Sequence, residues 1–314
     1  MSENPTVSVL MSVYNTEPYL AQTMESMLGQ TFEDFEFIII DDGSTDGSLK
    51  ILEEYVAKDK RICLTSRENR GISRTRNEML AKAKGEFIAV MDADDIALPE
   101  RLTRQVEFLQ RHPHVVCVAA THEVIDEKGR LLLTRLEPPQ HNDEIQRLAL
   151  AGHQVFNHPS VMIRRAALVQ IGGYDESLPL GHDMDLWLRL GEIGELAGMK
   201  DTLQKYRQRT NSVSKQKRIQ QYEEVKEACQ RAWRRRGIEG RFEVTEPWRG
   251  GTDRPSQHRE QIMYGWWAFN SSQRQTALLY AIKAISTLPF EVGGWKLLAC
   301  AVIKPLPKSD LNKL

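Results

Sequence analysis

The chain is short of several things that would place it quickly. Its four cysteines, Cys63, Cys117, Cys229 and Cys300, are widely spaced with no Cys-x-x-Cys pair. They read as reduced thiols in a reducing compartment rather than as a disulfide frame or a zinc site. No uncharged apolar run nears the roughly 20 residues that a membrane-spanning helix needs. No basic-then-apolar opening precedes Val7, so no secretory signal is visible. Neither G-x-x-x-x-G-K-[ST] nor a G-x-G-x-x-G after the first apolar run is present, which disfavours a P-loop kinase and a standard dinucleotide dehydrogenase. Internal repeats and low-complexity tracts are also missing. The expectation is a cytoplasmic protein.

What is present is ordinary in bulk and uneven in distribution. With 41% hydrophobic and 27% charged residues over 314 positions, the chain is too apolar to be disordered. The net charge of −1 hides a split, because residues 1–199 hold 20 basic against 32 acidic side chains. Residues 200–260 reverse this with 16 against 9, and residues 261–314 hold 6 against 2. An acidic front and a basic rear suggest regions that meet different partners.

Strand and helix signals alternate over the first 120 residues. Apolar runs at Val7–Val13, Phe35–Ile40, Ile62–Thr65, Phe87–Met91 and Val115–Ala120 read as strands. Between them lie helical patterns from Pro18 to about Gln30, Ser44–Tyr55, Ile72–Ala83 and Pro99–Arg111. Strands separated by helices of this length predict an α/β fold, a mainly parallel sheet with helices on both faces. The rhythm then breaks. Glu123–Leu133 reads as a hairpin around Asp126 to Gly129, short helices flank His158–Ile163, and another helix runs from Met184 to about Gly191. Lys215–Arg236 reads as a basic helix with Tyr222, Val225, Cys229, Ala232 and Trp233 on one face. Residues 237–260, rich in Gly, Pro and charge, are the linker candidate, so the predicted domains are 1–214 and a helical extension, 215–314.

Acidic residues collect at the carboxyl ends of the predicted strands, where open α/β sheets bind ligands. Asp41 and Asp42 end one strand; Asp92, Asp94 and Asp95 follow another. Two unit charges about 4 Å apart repel by roughly 4 kcal/mol at an effective dielectric of 20. Carboxylates converging there need a cation, a proton or strong donors, and a hard divalent ion suits one or two carboxylates plus phosphate oxygens. The plainer reading is that one aspartate caps a helix and the rest face water. For Asp42 the options are a helix cap or an acceptor for a base or ribose.

VSVLMSVYNTEPYLAQTMESMLGQTFEDFEFIIIDDGSTDGS closely resembles the opening of the family 2 glycosyltransferases with a GT-A fold. ENRGISRTRNEMLAKAKGEFIAVMDADDIALPERL continues the pattern, and HPSVMIRRAAL with GGYDESLPLGHDMDLWLRL completes it, over residues 6 to about 214. The resemblance implies inverting transfer of a sugar from a nucleotide-sugar, commonly UDP-linked, to an acceptor hydroxyl. It places Ser12 at the nucleotide, Asp42 at the uracil edge with Asp41 beside it, and Arg76 at the diphosphate or ribose, with Arg70 and Arg74 as weaker contacts. It places Asp92 near the ribose, Asp94 on a Mn²⁺ or Mg²⁺ ion, and Asp183 as general base. His182 stands where relatives often have Glu, and is read as tuning the base or contacting the acceptor; Asp185 competes for the base role. Arg209 stands where relatives often have His; it cannot ligate a metal but can clamp a diphosphate. His158 is read as shaping the acceptor side or making a structural hydrogen bond.

The Q-x-x-R-W signature of processive synthases is missing, which implies single additions in polysaccharide or lipopolysaccharide assembly, on a saccharide or lipid-linked saccharide acceptor. The rear then has two readings. Lys215, Lys217, Arg218, Arg231 and Arg234–Arg236 meet anionic head groups while Trp266, Trp267, Trp295, Leu297 and Leu298 enter a membrane interface, as a peripheral contact at its inner face. Alternatively the extension packs on the front and its charges are solvated or paired. Nucleic acid is disfavoured, because no recognised module accompanies the basic helix. Two rivals to a transferase of sugars are a nucleotidyltransferase, which should show a Gly-rich basic loop that SVYNTEPY lacks, and a non-catalytic binding protein.

Overall fold

The computed structural model describes residues 4–209, 213–247 and 250–307. They form two compact units. The first takes the residues up to Thr121, Glu137–Lys205 and Gln220–Glu246; the second takes His122–Leu136, Tyr206–Ile219 and Pro247 onward. This division does not follow the expected break at 214, for reasons that lie in the packing of the basic helix described below.

The chain opens with β1 (Val7–Val13), α1 (Glu17–Leu28), β2 (Phe35–Asp41), α2 (Ser48–Val56), β3 (Ile62–Ser66), α3 (Ile72–Lys82) and β4 (Phe87–Asp92). There follow β5 (Ile96–Ala97), α4 (Arg101–Arg111), β6 (Val115–Ile125), β7 (Leu131–Leu136) and α5 (Asn142–Leu150). A single 3₁₀ turn at His158–Ser160 leads into β8 (Val161–Arg164), α6 (Arg165–Gln170), α7 (His182–Leu190) and β9 (Glu195–Arg207). The remainder is α8 (Val213–Gln216), α9 (Arg218–Arg236), α10 (Arg254–Asn270), α11 (Arg274–Thr287) and α12 (Val292–Ile303).

The sheet runs β3-β2-β1-β4-β8-β6-β9-β5, with β7 paired to β6. Its first four strands are parallel, and β8 joins both β4 and β6 antiparallel. The strand order carries the important consequence. From β1 the chain steps outward to β2 and β3, then returns to place β4 on the other side of β1. Right-handed crossovers therefore put α3 on the opposite face from α1 and α2. The reversal opens a crevice at the carboxyl ends of β1 and β4, the position at which α/β sheets bind ligands.

Alternation along the strands fixes which side chain faces which layer. Val7, Val9, Met11 and Val13 join Phe35, Phe37, Ile39, Phe87, Ala89 and Met91 in one core with Leu20, Met24, Leu52, Leu102, Val106 and Leu109 of α1, α2 and α4. The other parity, Leu10, Ile38, Ile40, Ile88 and Val90, is equally buried and faces the layer of α3. Apolar side chains on both faces explain why these strands read as continuous hydrophobic runs.

Helix α9 belongs to the first unit. Its Glu224, Val225, Ala228, Cys229 and Ala232 are buried, the Trp233 indole donates to the Leu150 carbonyl at 3.1 Å, and Arg231 pairs with Asp175 at 2.8 Å. Arg235 and Arg236 both pair with Glu192, at 2.9 and 3.5 Å. The basic rear is thus in part a partner of the acidic front.

In the second unit the end of β6 and β7 form the expected hairpin, with Gly129 at φ 77° in its turn. Val124, Leu132 and Leu133 pack with Tyr264, Tyr280 and Trp267, and Ala268, Phe269, Ala277 and Ala301 with Trp266. The Tyr280 hydroxyl donates to Asp126 at 3.1 Å. Of the five apolar residues expected to enter a membrane, Leu297 is fully buried and Trp266 and Trp267 pack on these cores, while Trp295 is 52% exposed. The expected linker is shorter than predicted, since α10 begins at Arg254 with Asp253 accepting from the Ser256 amide at 2.9 Å. Among the described residues, no helix is long and apolar enough to cross a membrane.

Candidate active site

The alternation just described sorts the aspartates before any contact is considered. Ser12 and Asp92 share the α3 face and lie directly opposite one another across β1 and β4. Asp41 continues the other parity, and Asp42 turns back to the α3 side. The two adjacent aspartates consequently do different work. Asp41 accepts from the Ser44 amide at 3.2 Å and the Ser66 hydroxyl at 2.8 Å, which ties the ends of β2 and β3 together. Asp42 is 3% exposed and accepts from the Arg70 amide at 2.9 Å, the Gly71 amide at 3.1 Å and the Arg67 guanidinium. Gly71, at φ 85°, gives the backbone the turn that presents those two amides. A carboxylate offers about four acceptor positions, so three donors leave Asp42 one to spend on a ligand.

Arg67 was not singled out from sequence, yet it also bonds Glu78 at 2.8 Å and the Thr75 hydroxyl at 2.8 Å. The available signal was its place just after a strand end, the same kind of position that marked the aspartates. Arg70 and Arg74 are exposed and bridge to Glu78, at 3.3 and 3.6 Å.

Arg76 is the centre of the site. It is 6% exposed, donates to Asp92 at 3.3 Å, lies over the Tyr174 ring at 5.5 Å and contacts Nε2 of His182. The next residue, Asn77, fixes the backbone of Tyr174 from both sides, donating to its carbonyl at 2.9 Å and accepting from its amide at 2.8 Å. Gly172 and Gly173, both at positive φ, let the chain turn into that clamp. Tyr174 in turn meets Nε2 of His158 at 3.1 Å. His158 is 6% exposed, and its ring packs against Tyr174, His182 and Trp187. Burial, then the Arg76 and His182 neighbours, hold it neutral, well below the usual histidine range.

The tautomer of His182 follows from its partners. Nδ1 lies 2.8 Å from the Pro179 carbonyl, which can only accept, so Nδ1 carries the proton and Nε2 offers its lone pair to Arg76. Burial and the Arg76 charge lower its pKa to about 3. A neutral imidazole orients Arg76 without cancelling its charge, as a glutamate would.

Asp183 and Asp185 separate as cleanly as the earlier pair. Asp185 is 1% exposed and pairs with Arg189 at 2.6 Å, on the far side of α7. Asp183, in the first turn, is half-buried and accepts from the Met184 amide at 2.8 Å. Asp92 is shifted above the usual carboxylate range by burial, which Arg76 opposes and the charges of Asp94 and Asp183 reinforce. The charges of Asp94 and Asp183 thus both reach Asp92. Asp95 does not join them: fully buried, it accepts from Gln204 of β9 at 2.6 Å and holds the loop. Among the described residues no three ligand-type side chains form a metal cage. Asp92 and Asp94 do match the requirement of an ion completed by phosphate oxygens. Arg209 falls in the second unit, so the site described here rests on the first unit's residues alone.

The entry to α7 is held from an unexpected direction. Glu224, on the basic helix α9, accepts from the Leu180 amide at 2.6 Å and the Gly181 amide at 2.8 Å. Nothing in its sequence neighbourhood marked it, because the contact spans more than forty residues.

Comparison with known proteins identifies the family and the fold. Residues 8–172 match the model of "Glycosyl transferase family 2". The chain is 36% identical over 202 residues to "Putative glycosyltransferase EpsE" of Bacillus subtilis, covering 62% of this chain and 69% of that one. It is 34% identical to "Amylovoran biosynthesis glycosyltransferase AmsE" of Erwinia amylovora, covering 67% and 79%. Among solved structures it is similar to S. aureus TarS 1–349 in complex with UDP, with a TM-score of 0.55 at 17% identity over 91% of this chain and 74% of that one. It is also similar to the mannosyltransferase PcManGT from Pyrobaculum calidifontis in complex with GDP-Man and Mn²⁺, with a TM-score of 0.57 at 17% identity over 95% and 79%. At that identity the structural likeness bears on fold alone.

Two outcomes follow from the site. His182 is neutral when folded down to about pH 3, against an ordinary value of 6.5. Below pH 6.5 the unfolded chain takes a proton that the folded chain refuses, so this group withdraws stability as pH falls. Urea unfolding of wild type and His182→Gln from about pH 7 to about pH 4 should show the wild type losing ground to the variant; a constant difference would contradict the assignment. Glu224→Ala should lower stability by about 1–3 kcal/mol by stranding two amides. It should also lower turnover roughly tenfold by loosening Asp183, while Glu224→Gln, which keeps an acceptor, retains most of both. Equal losses in the two variants would argue against the hydrogen bonds.

Proposed function

Because the chain belongs to glycosyl transferase family 2 and has the GT-A fold, its enzymatic class is settled as a glycosyltransferase, and we propose the following reaction for it. A single sugar moves from a nucleoside-diphosphate donor, in the first instance UDP-linked, to a hydroxyl of a saccharide or lipid-linked saccharide, with inversion at the anomeric carbon. The observation that carries this reading is Asp92 at the switch point of the sheet, bonded by Arg76 at 3.3 Å and reached by the charges of Asp94 and Asp183. Structural neighbours in complex with UDP and with GDP-Man support a nucleotide-sugar donor. The likeness to a protein of amylovoran biosynthesis supports a place in polysaccharide assembly.

The residues divide the work by position. Asp42 spends its remaining acceptor site on the base, beside Ser12, Asp41 and the ribose-facing Asp92. Arg76, desolvated and left uncancelled by the neutral His182, receives the diphosphate. Asp94, with Asp92, would hold a Mn²⁺ or Mg²⁺ ion, which when bound supplies Lewis-acid stabilisation of the departing diphosphate. His158, behind Tyr174 and His182, braces the wall on the acceptor side.

Asp183 takes the proton of the acceptor hydroxyl as its oxygen bonds the anomeric carbon. The bond from that carbon to the phosphate oxygen breaks at the same time, and its electron pair leaves with the nucleoside diphosphate. One displacement without a covalent enzyme intermediate inverts the centre.

The test is transfer of radiolabelled sugar from a panel of nucleotide-sugars by Asp183→Asn. Turnover should fall about 10²–10⁴-fold with donor affinity unchanged, the range lost with a general base. Preserved transfer would remove Asp183 from the role.

A further inference from the structure

Helix α12 is apolar on all sides, but only one side is covered. Gly294, Leu297 and Ala301 are buried against the second unit's other helices; the Leu297 side chain fills the space over Gly265, and Gly294 abuts Ile285. The opposite face consists of Val292, Trp295, Ala299, Val302 and Ile303, at the spacing of one helical stripe. Val292 is 73% exposed, Val302 62% and Ile303 79%, and Phe290, just before the helix, is 97% exposed. A helix that is hydrophobic all round is ordinarily a buried one.

Two further observations say what this face fits. The Trp295 indole and the carbonyls at the end of the helix are already satisfied from within. The Trp295 indole donates to the Pro289 carbonyl at 2.8 Å, so the exposed ring carries no unmet donor. Arg274 reaches from α11 to the last carbonyls of α12, bonding Ala301, Val302 at 3.3 Å and Lys304 at 2.7 Å. Helix-end carbonyls that normally require water are thereby capped, the condition for entering a medium without water. The charge around the stripe is mainly positive: Lys296 borders it and Lys304 ends it, both exposed and neither in an ion pair among the described residues, against the exposed carboxylate of Glu291 at the helix start. Residues 261–314 hold 6 basic and 2 acidic side chains.

We propose that the exposed face of α12, with Phe290, docks on an anionic phospholipid surface. The helix has 12 residues, about 18 Å at 1.5 Å each, against a hydrocarbon core of about 30 Å, so it lies in the interface plane and does not cross. The apolar stripe enters the acyl boundary while Lys296 and Lys304 meet head-group phosphates. This surface differs from the one expected from sequence: Trp266, Trp267 and Leu297 serve the protein core, and Phe290, Val292, Val302 and Ile303 take their place. Service to a lipid-linked acceptor rests on the transferase reading; the docking itself does not.

The experiment is flotation of the full chain with vesicles of phosphatidylcholine, alone or mixed with phosphatidylglycerol, in parallel with sedimentation velocity without lipid. Wild type should float with the mixed vesicles and remain behind with the neutral ones. Val302→Glu with Ile303→Glu, at exposed positions, should reduce partitioning at least tenfold. Lys296→Gln and Lys304→Gln should each reduce it roughly fivefold. The thermal shift produced by UDP with Mn²⁺ should be the same in all variants, which separates this proposal from the assignment of the active site. Wild type that fails to float, or floats equally with the glutamate variant, would overturn it. So would a wild-type dimer that the glutamate variant splits without any lipid binding, which would assign the face to a second copy of the chain.

Discussion

The concentration of negative charge at the carboxyl ends of β1 and β4 is the constraint around which the first unit is arranged. Burial, opposed by Arg76 and reinforced by the charges of Asp94 and Asp183, displaces Asp92 upward from the usual carboxylate range. Carboxylates a few ångströms apart repel by several kcal/mol even at a moderate effective dielectric. The fold brings the Arg76 cation to Asp92 and deploys Asn77, Tyr174, His158 and His182 to fix where that cation points. His182 refines the arrangement further. Its proton is committed to Pro179, so it steers Arg76 without adding another negative charge. On the proposed reaction these carboxylates receive an anionic ligand that brings a metal ion with it.

Much of this arrangement was legible in the sequence because it rests on local pattern. Apolar runs of four to seven residues located the parallel strands, and acidic clusters after two of them marked the carboxyl ends. Strand alternation then gives Asp41 and Asp42 different faces. The antiparallel half was less legible. β8 is four residues long and β9 thirteen, of mixed polarity, and neither carries a periodicity that separates it from a helix or a loop. Likewise Arg67, Asn77 and Glu224 act through contacts that only the fold creates. A glutamate on a basic helix has no sequence signature for capping a turn forty residues earlier.

Helix α9 shows how the charge split along the chain is resolved. Its arginines pair with Asp175 and Glu192 of the acidic front, and its single buried glutamate holds the loop that delivers Asp183. Of the basic residues in the last part of the chain, Lys296 and Lys304 lie beside the apolar face of α12. The two basic segments thus have different tasks, which a sum of charges over the rear of the chain conceals.

The claim that the aspartates await a metal carried by a nucleotide is tested most directly by calorimetric titration of Mn²⁺ into the protein, with and without UDP. With few protein ligands in place, Mn²⁺ alone should bind weakly, and saturating UDP should tighten it at least tenfold, an effect abolished by Asp94→Ala. Tight binding of Mn²⁺ without nucleotide, or UDP binding indifferent to the metal and to Asp94, would contradict the account.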